Sequence, residues 1–266
     1  MADDPTGVAG TVILVAKLPC KGRSKTRLVP ALGEDATLAL ATAMLSDLLA
    51  RLAAAPALRA ARKVLLFAPA AEAAEAARFL ADRGLSDAWS ARPMLDARQS
   101  LTGSDLGAKL AAALVEEQAA QASECGSEAV RPVAFIGMDS PTLPDEAIAA
   151  ALREAGAGSG GGPDTAHICG AADGGYTLLA LPPRAPPAVF EGVSWSCERT
   201  LESQVGRLEA CGLGVSRGAT YADIDEVADV KALAQQVQAE PGVARLCPAV
   251  AKVLSSLSEQ LSIPSD

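Results

Sequence analysis

The sequence predicts an α/β fold, a single domain with a mostly parallel mixed sheet flanked by helices, Rossmann-like in plan. Three observations predict it. Short β-branched runs alternate with longer segments rich in Ala, Leu, Glu and Arg, which is the pattern of strands joined by crossover helices. Half of the 266 residues are hydrophobic, enough to bury a full core in one domain. Aromatic residues are only 3%, so that core must be built mainly from Ala, Leu and Val.

The elements follow in order. Residues 11–16 read as a buried first strand, followed by a loop and a helix over 34–54 with apolar positions at helical spacing. Residues 63–68 form the second strand, 70–83 a helix, 89–95 a weak strand or loop, and 105–118 a helix that Asp105 is placed to cap. The third clear strand is 133–136. Residues 121–131 and the Gly-rich run 156–164 read as loops, because no helix or strand interior tolerates the latter. Strands at 165–170 and 176–181, a helix over about 197–211, a short strand ending near Asp223 and a closing helix over 227–238 complete the pattern. The domain is expected to span 1–266, with a core over about 11–238 and a helical C-terminal extension over 239–266 that carries no assigned chemistry.

Composition narrows the function classes. A formal net charge of -9 argues against nucleic acid or an anionic membrane as the main partner and favours small ligands. The six cysteines are scattered, with no Cys-x-x-Cys pair, so neither a zinc site nor a disulfide framework is indicated. The acidic N-terminal residues lack the look of a secretory signal or transit peptide, and the Ala-rich segments are broken by charges before the ~18 apolar residues that span a bilayer. A cytoplasmic protein is expected, with no membrane partner; a homo-oligomer is left open.

Against that acidic background, Lys17, Lys21, Arg23, Lys25 and Arg27 crowd five basic residues into eleven positions directly after the first strand. Ligands of open α/β sheets bind outside the carboxyl ends of strands, so this loop is placed to grip phosphate. Gly22 lets the backbone approach an anion, Lys17, Lys25 and Arg27 supply charge, and Thr26 adds a hydroxyl. The alternative is a solvated basic turn. It is not a Walker A loop, since the Gly five residues before a Gly-Lys-Thr is missing.

Three acidic blocks complete the pattern. The run 135–144 is an apolar strand that delivers Asp139 to its carboxyl end and is then stopped by prolines; a carboxylate there suits Mg²⁺ or Mn²⁺, or caps the helix starting near Asp145. Asp173, Gly174, Gly175 and Tyr176 offer polar groups beside a Gly pair, although Asp-Gly is equally the signature of a plain hairpin turn. Asp223 and Asp225, two apart, share a face in extended chain and suit a second metal or substrate contact; alternatively, Asp225 caps the closing helix. His167, the single histidine, lies in an apolar strand with no partner by spacing and reads as a satisfied core residue.

In this order, the blocks resemble a bacterial glycosyltransferase family associated with arsenosugar biosynthesis, itself similar to nucleotide-diphospho-sugar transferases of the GT-A fold. The matching segments are 16–28, Gln99 with 105–107, 137–143, 173–176, 190–195 and 223–225. The resemblance implies that the first block holds a nucleotide and its diphosphate and that Asp139 binds the metal, while Asp225 enters as a second ligand from its spacing. It also implies that 173–176 face sugar or acceptor; Asp173 is the candidate acceptor contact or base, and Trp195 a further candidate on that side. The sequence departs from the family's habit at Met138, Ala172, Ala180 and Cys197, mostly on the acceptor side. The basic opening and the Asp-x-Asp ending also resemble 2-phospho-L-lactate guanylyltransferase and related nucleotidyltransferases. The expected function is therefore metal-dependent transfer from a nucleotide sugar to a small-molecule acceptor. Nucleotidyl transfer from a nucleoside triphosphate, and a non-catalytic nucleotide-binding protein, are the alternatives.

Overall fold

The computed structural model describes residues 7–95, 106–125, 130–160 and 164–261. Seven strands, β1 (Gly10–Lys17), β2 (Ala61–Ala68), β3 (Ser90–Pro93), β4 (Val133–Gly137), β5 (Thr165–Gly170), β6 (Tyr176–Leu181) and β7 (Gly214–Arg217), form one sheet in the order β3-β2-β1-β4-β6-β5-β7. The helices are α1 (Val29–Leu32), α2 (Glu34–Ala54), α3 (Ala73–Ala81), α4 (Leu106–Cys125), α5 (Asp145–Gly156), α6 (Thr200–Ala210), α7 (Val227–Ala239), α8 (Pro241–Leu246), α9 (Pro248–Ser256) and α10 (Ser258–Leu261). All strand pairs are parallel except those of β6, which runs antiparallel to both β4 and β5. The expected mostly parallel mixed sheet is thus present.

Period-two alternation on β1 explains the two-sided core. Val12 and Leu14 pack with α2 and α5 on one face, while Ile13 packs with α4 and Phe190 on the other. A third cluster joins α2 to the C-terminal helices through Leu40, Met44, Val250 and Leu254. Asp47 is the buried carboxylate on that helix. It is 6% exposed, and its carboxylate accepts the backbone N–H of Ala249 and of Val250 at the start of α9. Pro248, the first residue of α9, has no N–H to satisfy, so Asp47 covers the next two.

Several sequence expectations are corrected. α4 continues to Cys125, through part of the segment expected as a loop, because Gln121 is buried and bonded to Thr11 and to the Arg131 backbone. The helix expected over 70–83 is shorter, Ala73–Ala81. The strand expected to end near Asp223 is instead β7, and Tyr221 makes only an isolated bridge to Ala171. Contrary to the reading of charge-broken segments, α2 is long and apolar enough, by length and composition, to cross a membrane. Its Leu40, Met44, Leu45, Leu48, Leu49 and Leu52 are buried against the sheet and α9, which makes it a core helix here. His167 has a partner that spacing did not reveal: its Nδ1 lies 2.8 Å from Glu154 of α5. Asp105 and Gln99 lie outside the described residues.

Candidate active site

The carboxyl ends of β1 and β4, neighbours in the sheet, open onto one cleft, and the antiparallel β6 brings its first residue, Tyr176, to the same edge. β1 is the point where connections depart to either side, to β2 one way and β4 the other, which is where open α/β sheets bind ligands. The cleft has two lobes of about 600 Å³ and about 530 Å³, which share Val15, Arg27, Leu106, Asp139, Trp195 and Asp225 among their walls.

The first lobe is cationic. Lys17, Arg23, Lys25, Thr26, Arg27 and Lys109 line it over an apolar floor that includes Val15, Ala68 and Met94. The loop after β1 is folded by its own bonds: Ser24 Oγ donates to the Leu18 carbonyl and accepts from the Cys20 N–H, and Gly22 adopts φ +70°. Arg23 pairs with Glu72, and Lys21 turns outward to Asp35, so neither faces the cleft unpaired. Lys25 itself is in the left-handed region, φ 48°, which is costly for a side chain-bearing residue.

That strained backbone delivers the Lys25 ammonium between the two candidate metal carboxylates. Nζ lies 2.6 Å from Asp139 Oδ1 and 2.8 Å from Asp225 Oδ1, and it donates to the Ile224 carbonyl at 2.6 Å. All three of its protons are thereby used. Burial works against the charge, yet the two carboxylates outweigh it and hold the Lys25 pKa above the ordinary lysine value. Backbone pairing fixes the two acids: the Ile224 N–H donates to the Asp139 carbonyl at 2.9 Å. Neither acid caps a helix. Glu226 and Asp229 form the capping box of α7, and Pro144 precedes α5 without a side-chain cap.

The second lobe is acidic and aromatic. Asp173 sits in the β5–β6 hairpin turn and accepts the Gly175 N–H at 2.8 Å, so the hairpin reading and the cleft reading hold together. Gly174 (φ +87°) is held against residues 194–200: a Cβ there would lie 2.1 Å from the Glu198 carbonyl, and the Leu201 N–H donates to the Gly174 carbonyl. Tyr176 and Trp195 face each other with centroids 6.2 Å apart. Asp223 faces this lobe from behind Asp225, with the Ser140 hydroxyl 3.5 Å away; burial, reinforced by Asp139, pushes its carboxyl up to about 7 although Lys25 opposes the shift.

The structure therefore gathers all the sequence-predicted site residues at one edge: Lys17, Lys25, Thr26 and Arg27 in the first lobe, Asp173, Gly175 and Tyr176 in the second, and Asp139, Trp195 and Asp225 between them. Gly22 and Gly174 shape the loops without lining either lobe. Sequence reasoning missed Lys109, which shares a helix face with Leu106 three residues earlier, and Thr177 and Glu198, which carry no motif. Among the described residues no cluster of three or more His, Cys, Asp or Glu side chains is arranged for a metal. The donor set still fits a hard cation of the Mg²⁺ type, which takes one or two protein carboxylates and leaves the remaining positions to water and phosphate. Asp139 and Asp225 converge on one point, now taken by Lys25.

Fold and site together define an α/β protein with a charged cleft at the carboxyl edge of its mostly parallel sheet. The chain belongs to the family DUF2064, described as an uncharacterized protein conserved in bacteria, whose model matches residues 51–197. The basic loop and Asp225 lie outside that match, so their roles rest on geometry. None of the curated proteins matches in sequence. Among solved structures, a protein from Desulfovibrio desulfuricans G20, provisionally named a nucleotide-diphospho-sugar transferase, aligns with a TM-score of 0.74 at 23% identity, covering 95% of this chain and 96% of that one. A cytidylyltransferase from Leptospira borgpetersenii serovar Hardjo-bovis aligns at 0.47 and 12% identity, covering 97% and 98%. CMP:2-keto-3-deoxy-manno-octonic acid synthetase complexed with CTP aligns at 0.47 and 11%, covering 88% and 100%. The first likeness establishes the fold; the other two are too distant to carry an argument.

Proposed function

We propose that this protein is a metal-dependent glycosyltransferase that uses a nucleoside-diphosphate sugar and a small-molecule acceptor. The observation that carries this reading is the convergence of Asp139 and Asp225 on one cationic point between a basic lobe and an acidic, aromatic lobe. In this reading Lys17, Lys25 and Arg27 neutralise the diphosphate, Gly22 and Thr26 shape and line its loop, and the apolar floor of the first lobe receives the base. Asp139 and Asp225 would hold Mg²⁺ or Mn²⁺, which supplies charge neutralisation at the diphosphate leaving group. Gly174, Gly175, Tyr176 and Trp195 shape the acceptor side.

The transfer needs an acceptor hydroxyl oxygen to bond to the sugar's anomeric carbon as the bond to the diphosphate oxygen breaks. The nucleoside diphosphate leaves with the electron pair, and the hydroxyl proton passes to a carboxylate of the second lobe, with Asp173 as candidate. The chain's contribution is positioning and charge, not a covalent nucleophile. An arsenosugar setting, carried by the sequence resemblance, enters as one candidate source of that acceptor.

A second reading, nucleotidyl transfer, draws on the same cationic lobe, whose cationic side chains suit a triphosphate equally well. The products separate the two: a nucleoside diphosphate from a nucleotide sugar, or pyrophosphate from a nucleoside triphosphate. Ligand binding without turnover of either donor would favour a non-catalytic nucleotide-binding protein. The test of the metal assignment is a thermal-shift assay with UDP or GDP, with and without Mn²⁺. Asp139→Ala should abolish the metal-dependent part of the stabilisation, and an unchanged shift would sink the assignment.

A further inference from the structure

The two lobes carry opposite charge. Beside the shared Asp139 and Asp225, the second lobe is walled by Asp173, Glu198 and Asp223, and its basic lining residue among those described, Arg27, has Glu226 3.7 Å from its guanidinium. An anion entering there would meet carboxylates with no ammonium or guanidinium reserved for it, whereas the first lobe adds Lys17 and Lys109. A second observation points to what the lobe does take. Thr177, only 3% exposed, lines the lobe at the start of β6, and its hydroxyl has no hydrogen-bond partner among the described residues. A buried hydroxyl left unpaired is costly and is satisfied by a ligand group of matching kind. Above it, the Tyr176 and Trp195 rings offer faces that attract a C–H-rich ring or a positive centre.

We infer that the second lobe takes a hydroxyl-bearing acceptor that carries neither phosphate nor carboxylate, with Thr177 bonding a hydroxyl and the Tyr176–Trp195 pair covering an uncharged or cationic face. This rests on the glycosyltransferase reading only for the word acceptor; the charge selection belongs to the lobe itself. It sets the lobe against a phosphorylated acid of the kind that the nucleotidyl-transfer reading supplies. Both ends of the charge contrast lie within one cleft, so the same molecule that is repelled from the second lobe is attracted to the first. The donor lobe must therefore be filled before the acceptor lobe is probed.

Trp195 reports on this lobe, since the other tryptophan, Trp89, is 3% exposed and donates to the Leu49 carbonyl in the core. With a nucleoside diphosphate and Mg²⁺ present, the caesium-to-iodide quenching ratio of the Trp195 emission should exceed that of free N-acetyltryptophanamide. The ratio should fall at least about twofold in the Asp173→Asn/Glu198→Gln double variant, which removes two of the lobe's charges while Asn keeps an acceptor for the Gly175 N–H. In the same protein choline should perturb Trp195 at a concentration at least about tenfold below that of phosphocholine. A caesium-to-iodide ratio equal to or below that of free N-acetyltryptophanamide, or phosphocholine acting at the same concentration as choline or lower, overturns the inference. The quenching ratio decides even where neither amine binds. Absence of a thermal shift with every nucleotide sinks the functional reading instead, and the quenching comparison is then made with inorganic pyrophosphate filling the first lobe.

Discussion

The Lys25 ammonium lies 2.6 Å from Asp139 Oδ1, in the seat that two converging carboxylates would otherwise offer to a divalent cation. A lysine on a left-handed backbone, side chain 8% exposed, thus sits between the two candidate metal carboxylates and at the edge of the cationic lobe at once. In the proposed function, phosphate and metal would be exchanged for Lys25 together, since removing the ammonium alone would leave two like charges side by side.

Lys25→Met should therefore change metal binding in the protein without nucleotide. Two carboxylates freed of their internal cation should bind Mn²⁺ at least about tenfold more tightly, as read from the free-ion signal in electron paramagnetic resonance, while nucleoside diphosphate binding weakens. Unchanged or weaker Mn²⁺ binding in Lys25→Met would remove the two carboxylates from the metal assignment.

Asp47 gives a prediction about stability rather than chemistry. Its carboxylate closes two N–H groups at the start of α9, so Asp47→Ala should cost about 2 kcal/mol and lower Tm by roughly 4–8 °C. Burial raises the Asp47 pKa above its ordinary value, so the folded protein holds that proton more tightly than the unfolded chain. The contribution tied to this proton is full below the unfolded pKa and is lost as pH rises through the folded one. Asp47→Asn, which keeps an acceptor and carries no charge, should accordingly lose less at pH 7 than at pH 4 when melting curves are compared.

What was legible in the sequence were features with local signatures. β1, β4, β5 and β6 announce themselves as β-branched or aliphatic runs between turn residues, and α2 by its spacing. The basic loop stood out because five cations in an acidic chain need a reason. Unreadable were relations between distant residues. Nothing in the sequence says that Lys25 reaches across about two hundred positions to Asp225, or that Asp47 ends a helix that begins at Pro248. β7 carries no alternating apolar signal, since three of its four residues are half-buried and Arg217 is exposed, whereas the run around Asp223 contains Tyr221 and Ile224 and only resembles a strand.

The thiols divide by burial. Burial pushes Cys169 and Cys247 up to about 11, so at pH 8 only about one molecule in a thousand carries either thiolate, whereas Cys197 is exposed on the wall of the second lobe. Brief iodoacetamide treatment followed by peptide mass spectrometry should find Cys197 alkylated well before Cys169 or Cys247, which should react only after unfolding. The Cys197 adduct should also shift Trp195 emission, two residues away on the same wall; labelling with no spectral change would place Cys197 outside the lobe.

Gly174 ties the wall of the second lobe together, and a matched pair of substitutions separates its two burdens. Gly174 and Gly192 both adopt left-handed backbone, φ +87° and +71°, so an alanine at either pays a similar conformational cost of about 1 kcal/mol. Only at Gly174 does the added Cβ also meet backbone, the Glu198 carbonyl at 2.1 Å; at Gly192 nothing lies within 4 Å. A backbone atom cannot rotate aside as a side chain can, so the 194–200 segment has to move away from the β5–β6 turn. Gly174→Ala should therefore lower Tm by clearly more than Gly192→Ala and should alter Trp195 emission, because Trp195 rides on the displaced segment. Equal melting temperatures for the two variants would mean that the turn and the segment part without cost, and that the wall of the second lobe is not built by their contact.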